Sequence, residues 1–96
     1  MPLGRRHCRT LCRIFERPTR ADVEWDDFVA LVEKLGGHVS TGGRTSGSAH
    51  RALLNGCRAV LHKPHPDPRM KKGSVESARD FLMAAGTTPA RQVCKC

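Results

Sequence analysis

GSAHRALLNGCRAVLHKPHP, residues 47–66, reads as two short strands joined at Asn55-Gly56. Asn-Gly is a strong hairpin signal, because both central residues of a type I′ turn need positive φ. A two-residue turn sets Leu54 opposite Cys57, Ala52 opposite Ala59 and His50 opposite Leu61. Side-chain alternation then puts His50, Ala52, Leu54, Cys57, Ala59 and Leu61 on one apolar face, with Arg51, Leu53, Arg58, Val60 and His62 on the other. Three prolines in the following KPHPDPRMKKG, residues 63–73, end the strand and make a basic loop.

Upstream, the Gly- and Ser-rich GGRTSGS separates this hairpin from a candidate first strand over residues 38–41. Before it, Phe28, Leu31, Val32 and Leu35 repeat at helical spacing and Gly36-Gly37 stops the helix. T-x-x-D from Thr19 resembles a capping box with Asp in place of Glu or Gln, and Asp26 and Asp27 suit the positive end of the helix dipole. After the basic loop, Ser74 is the expected N-cap of a second helix with Ala78, Phe81, Leu82 and Ala85 on one side, ending at Gly86. Residues 5–16 form a short basic helix with Leu11, Ile14 and Phe15 on one side, expected as an arm laid on the domain. The expected division is a basic arm over 1–18, one domain over 19–88 and a loose tail over 89–96. The order is helix, three strands, helix, an α+β class in which two helix stripes cover one face of a three-stranded antiparallel sheet.

The 96 residues leave room for one core, built mainly from Leu, Val and Ala because only four residues are aromatic: Phe15, Trp25, Phe28 and Phe81. The formal charge of +8 is unevenly spread. Residues 1–20 hold six arginines against one glutamate, and residues 38–73 seven Lys and Arg against one aspartate. Residues 21–35 are acidic. A basic face of this kind favours a polyanion such as nucleic acid, against the plainer alternative of a charged, solubilising surface. No run of apolar residues is long enough to cross a membrane, and the interrupted apolar pattern of the N-terminal stretch is unlike a signal peptide, so a cytoplasmic protein is expected. On that expectation Cys8, Cys12, Cys57, Cys94 and Cys96 are thiols rather than a disulfide framework. A four-thiolate zinc site from Cys8, Cys12, Cys94 and Cys96 would need the chain ends to meet, and its spacings are not those of a zinc ribbon.

Residues 25–86 resemble the HicA toxins of bacterial type II toxin–antitoxin systems. The resemblance is carried by LVEKLGG at the helix end, GSAH before the hairpin, KPHP at its exit, and KKGSVESARDFL followed by a glycine, in that order. The basic RRHCRTLCRIFERPTRADVEW resembles the arm of a longer subgroup of that family. The resemblance implies a double-stranded-RNA-binding-domain-like α-β-β-β-α fold. It also implies an mRNA interferase, a ribonuclease that halts translation until a HicB-type antitoxin covers it.

RNA carries its own nucleophile, the 2′-hydroxyl. A protein has only to remove its proton, stabilise charge on phosphorus and protonate the leaving 5′-oxygen. Histidine suits the proton transfers because its ordinary pKa of about 6.5 populates both forms near neutrality. His50, in Gly-Ser-x-His, is the candidate acid or base, beside a loop whose backbone N–H groups, at Ser48 among others, can cradle phosphate. Opposed positions of a hairpin lie about 4.5–5.5 Å apart, so His62 is expected to serve the same phosphate. His65, between two prolines, is a further RNA contact or simply a rigid loop residue. Arg44, Arg51, Lys63, Lys71 and Lys72 are the expected phosphate-binding cations. No carboxylate cluster accompanies the histidines, so neither a metal nor another cofactor is expected. The competing readings are a histidine at the core edge of a non-catalytic RNA- or DNA-binding module, and a protein-interaction domain.

Overall fold

The computed structural model describes residues 3–40 and 49–96. Six elements follow in order: α1 (Arg5–Phe15), α2 (Trp25–Lys34), β1 (His38–Val39), β2 (Ala49–Leu54), β3 (Cys57–His62) and α3 (Lys72–Ala84). The strands make one antiparallel sheet in the order β1-β2-β3. From α2 onward this is the α-β-β-β-α order expected, with α1 added in front.

The hairpin pairs in the expected register, with Leu54 opposite Cys57, Ala52 opposite Ala59 and His50 opposite Leu61. Asn55 and Gly56 take φ of 50° and 80°, the two positive values the turn requires. The Asn55 amide also donates to the Ala85 carbonyl at 2.9 Å, tying the hairpin tip to the end of α3. Ala52, Leu54 and Leu61 are buried in the core that α2 and α3 share, whereas Leu53 and Val60 are 47% and 60% exposed on the opposite face.

Both helix stripes are buried as expected: Phe28, Leu31 and Val32 on α2, and Ala78, Phe81 and Leu82 on α3. Both helices also end alike. Gly36 and Gly37 donate to the carbonyls of Glu33 and Val32, and Gly86 and Thr87 to those of Met83 and Leu82, so a positive-φ glycine lets the last turn satisfy its own carbonyls. Gly37 has a second reason to be glycine, since a Cβ there would overlap the Leu53 carbonyl oxygen of β2.

The helix starts differ from expectation. α2 begins at Trp25 with Glu24 at the cap position and no side-chain cap, and Thr19 lies well before it. Residues 23–25 instead pair with the loop after β3: Trp25 N–H donates to the Pro68 carbonyl at 3.0 Å, and Met70 N–H to Val23 at 2.7 Å. Burial of Val23 and Met70 favours this extended pairing over an earlier helix start. α3 begins at Lys72, so Ser74 sits inside the first turn rather than capping it.

Helix α1 is part of the core. Leu11 and Ile14 are fully buried where α1 packs on α2 and α3. Its first turn carries Arg5 and Arg6 and no acid, at the end where the helix dipole disfavours cations. That placement costs roughly 0.3–1 kcal/mol per charge, while burying each aliphatic side chain contributes about 1.5–3 kcal/mol, so packing decides. Buried Arg79 of α3 fastens the other end of α1, donating from Nε to the Ile14 carbonyl at 2.9 Å and from Nη2 to the Glu16 carbonyl at 3.2 Å and the Thr19 hydroxyl at 2.9 Å. The residue that suggested a helix cap is thus part of this anchor.

The expectation of free thiols is overturned at four of the five cysteines. Cys8 is bonded to Cys94 and Cys12 to Cys96, leaving Cys57 as the free cysteine among the described residues. The chain ends do meet. Cys8 and Cys12 stand one helical turn apart on α1, and the tail lies along that side with turn hydrogen bonds from Gln92, Val93 and Cys94. Apposition of the ends, which no local pattern reveals, brings the two pairs together and takes up the four sulfurs considered for zinc.

Candidate active site

The catalytic candidate His50 opens β2 and is 7% exposed. Its Nδ1 contacts the carbonyl oxygen of Ser40, one residue past β1. A carbonyl only accepts, so Nδ1 carries the hydrogen and Nε2 is the nitrogen through which the neutral ring takes up a proton. The ring lies on Trp25 at the start of α2, with centroids 5.4 Å apart and planes tilted by 60°. Trp25 in turn packs on Phe28, at 5.7 Å. Three elements therefore fix one imidazole: β2 supplies it, the end of β1 sets its tautomer and α2 sets its plane. Ser40 is itself held, donating its N–H to the Arg51 carbonyl at 2.8 Å and accepting the Arg51 N–H on Oγ at 2.9 Å.

The register that fixes His50 also separates it from His62. His62 pairs with Ala49 and is exposed, one residue beyond buried Leu61. The shared-phosphate expectation treated His50 and His62 as directly opposed, whereas His50 faces Leu61 and His62 faces Ala49, and successive residues of a strand point to opposite sides.

His62 borders a concavity of about 370 Å³ with Lys71 and Ser74 at the start of α3. Lys71 also borders a second one, of about 390 Å³, with His65 and Lys72. Lys63, His65, Lys71 and Lys72 are all exposed, so the exit of β3 and the entry of α3 present a cationic cluster. The loop between them is braced by Asp67, which receives Arg69 Nη2 at 2.8 Å. That guanidinium holds the Asp67 carboxyl down to about 2. Arg51 points to the open face of the sheet, where it shares a shallow concavity with His38 and Arg58. Arg44 and Ser48 lie outside the described residues.

Ser40 and Trp25 were not legible as site residues. Their relation to His50 is long-range, and a serine near a strand end or a tryptophan opening a helix carries no local mark of it. Among the described residues no helix is long and apolar enough to cross a membrane.

The family model for the HicA toxin of bacterial toxin–antitoxin systems matches residues 25–86, from Trp25 through Gly86. No curated protein and no solved structure matches the chain.

Proposed function

The chain belongs to the HicA toxin family of bacterial toxin–antitoxin systems, and from that membership we propose that it is an endoribonuclease that cleaves mRNA in the cytoplasm, with a HicB-type antitoxin as its partner. The reaction needs no metal. The RNA 2′-hydroxyl attacks the adjacent phosphorus, its proton goes to a base, the bond from phosphorus to O5′ breaks, and the 5′-oxygen receives a proton. The products are a 2′,3′-cyclic phosphate and a 5′-hydroxyl. His50 carries one of these protons on Nε2. The second proton is exchanged with water; His62 does not share a face with His50 and contacts the strand beyond the scissile phosphate. Arg44, Ser48, Arg51, Lys63, His65, Lys71 and Lys72 bind phosphate, and the cations among them also offset charge in the transition state.

The observation that supports this best is the fixed tautomer of His50: the Ser40 carbonyl holds Nδ1–H and so reserves Nε2 for proton transfer. Incubation of the protein with RNA in EDTA, followed by end-group analysis, tests it. One observation favours a second reading. His50 is buried against Trp25, as a structural histidine would be, and a non-catalytic module would then bind RNA through the exposed basic groups alone. Intact RNA that shifts on a gel distinguishes that case.

A further inference from the structure

We propose that the groove between α1 and the C-terminal tail is a second binding surface, one that takes single-stranded nucleic acid by its phosphates and a base. Arg5, Arg9 and Arg13 recur every four residues along α1 and all are exposed. Helical geometry spaces them about 6 Å apart along the axis, comparable to the phosphate repeat of an extended strand. Among the described residues none of the three forms an ion pair, while Arg6 and Arg20 on the same segment do.

Lys95 adds a fourth cation from the other side. It lies between Cys94 and Cys96, and their bonds to Cys8 and Cys12 fix it against α1. The three arginines, Lys95 and half-buried Phe15 all line one open groove of about 860 Å³. The acid in this groove, Glu16, is already engaged by Arg20 at 2.9 Å. A cationic track with an aromatic ring at its end is the recurring chemistry of single-strand recognition, in which phosphates meet the charges and a base stacks on the ring. The surface is built from residues before the family-matched segment and after it. It deepens the RNA-directed reading and rests on it for the identity of the strand.

The test uses the full-length disulfide-bonded protein and a fluorescent 2′-O-methyl oligonucleotide of about 12 nucleotides, which has no free 2′-hydroxyl to attack. Binding is followed by anisotropy across a salt series. The combined variant Arg5→Gln, Arg9→Gln, Arg13→Gln, shown by circular dichroism to melt like the wild type, should lose at least about tenfold in affinity. Its slope of log K against log salt should shrink by about 2, from three phosphates at about 0.7 each. Phe15→Leu should weaken binding about tenfold with the slope unchanged. The proposal is overturned if the triple variant keeps the wild-type affinity and slope, if the wild type does not bind the oligonucleotide, or if polyglutamate of similar length competes equally. Groove-dependent binding by a protein that cleaves no RNA would uphold the groove and sink the ribonuclease reading; cleavage with unaltered binding in the triple variant would do the reverse.

Discussion

His50 donates its Nδ1 hydrogen to the carbonyl oxygen of Ser40, across the pairing of β1 with β2. The bond orients the imidazole and leaves the proton chemistry to Nε2. An asparagine at position 50 reproduces the donor near Nδ1 but has nothing in place of Nε2. His50→Asn should therefore keep the fold, with a thermal midpoint close to wild type, while RNA cleavage falls by about 10²–10⁴-fold, the usual contribution of a proton-transfer group. An asparagine variant that still cleaves at the wild-type rate removes His50 from the mechanism.

Arg79 is a buried cation whose observed partners are carbonyls and a hydroxyl rather than a carboxylate. It faces the C-terminal end of α1, where the helix dipole favours positive charge. Arg79→Met strands the Ile14 and Glu16 carbonyls and should cost about 2–4 kcal/mol in urea unfolding. Arg79→Lys should recover only part of this, since an ammonium cannot reproduce the fork. Wild-type stability in the methionine variant would show that the anchor contributes nothing.

The disulfides close loops of nearly the same length, with sequence separations of 86 and 84. Loop-closure entropy assigns a loop of this size about 4–5 kcal/mol, and a second, overlapping closure adds less. Replacing all four cysteines by serine should lower the thermal midpoint yet leave a folded chain, because Leu11 and Ile14 still bury α1. Peptide mapping without reductant should recover the Cys8–Cys94 and Cys12–Cys96 pairs and one titratable thiol, Cys57. Any other pairing contradicts the placement of the tail.

Asp67 titrates at about 2 because Arg69 hydrogen-bonds its carboxylate. The folded value lies below the ordinary one near 3.9, so this pair stabilises the loop above that pH and is lost as pH falls through about 2. NMR titration of the Asp67 carboxyl should show the low midpoint, and Arg69→Gln should return it toward the ordinary value. An unchanged midpoint in that variant would mean that Arg69 is not the cause.

The sequence made the hairpin legible because its determinants are local: Asn55-Gly56 fixes the turn, and alternation from it assigns every side chain to a face. The two helix stripes and their glycine stops are local in the same way. Long-range features were not readable. Thr19 looked like a cap because T-x-x-D is a short pattern, but Arg79, 60 residues away, takes its hydroxyl. The cysteines looked like thiols because spacing alone does not say that the ends meet. At the candidate site, the motif pointed to His50, whereas Ser40 and Trp25 reach it only through folding. The separation of His50 from His62 was implicit in the strand alternation itself.

Metal-independent cleavage through the RNA 2′-hydroxyl, with His50 carrying a proton, leaves a chemical signature on the product ends. The direct measurement is mass spectrometry of an RNA oligonucleotide after incubation in EDTA with the wild-type protein and, in parallel, with His50→Asn. Fragments ending in a 2′,3′-cyclic phosphate and beginning with a 5′-hydroxyl, formed by the wild type and suppressed in the variant, are the predicted result. Intact RNA, or fragments with 5′-phosphate ends, would contradict it.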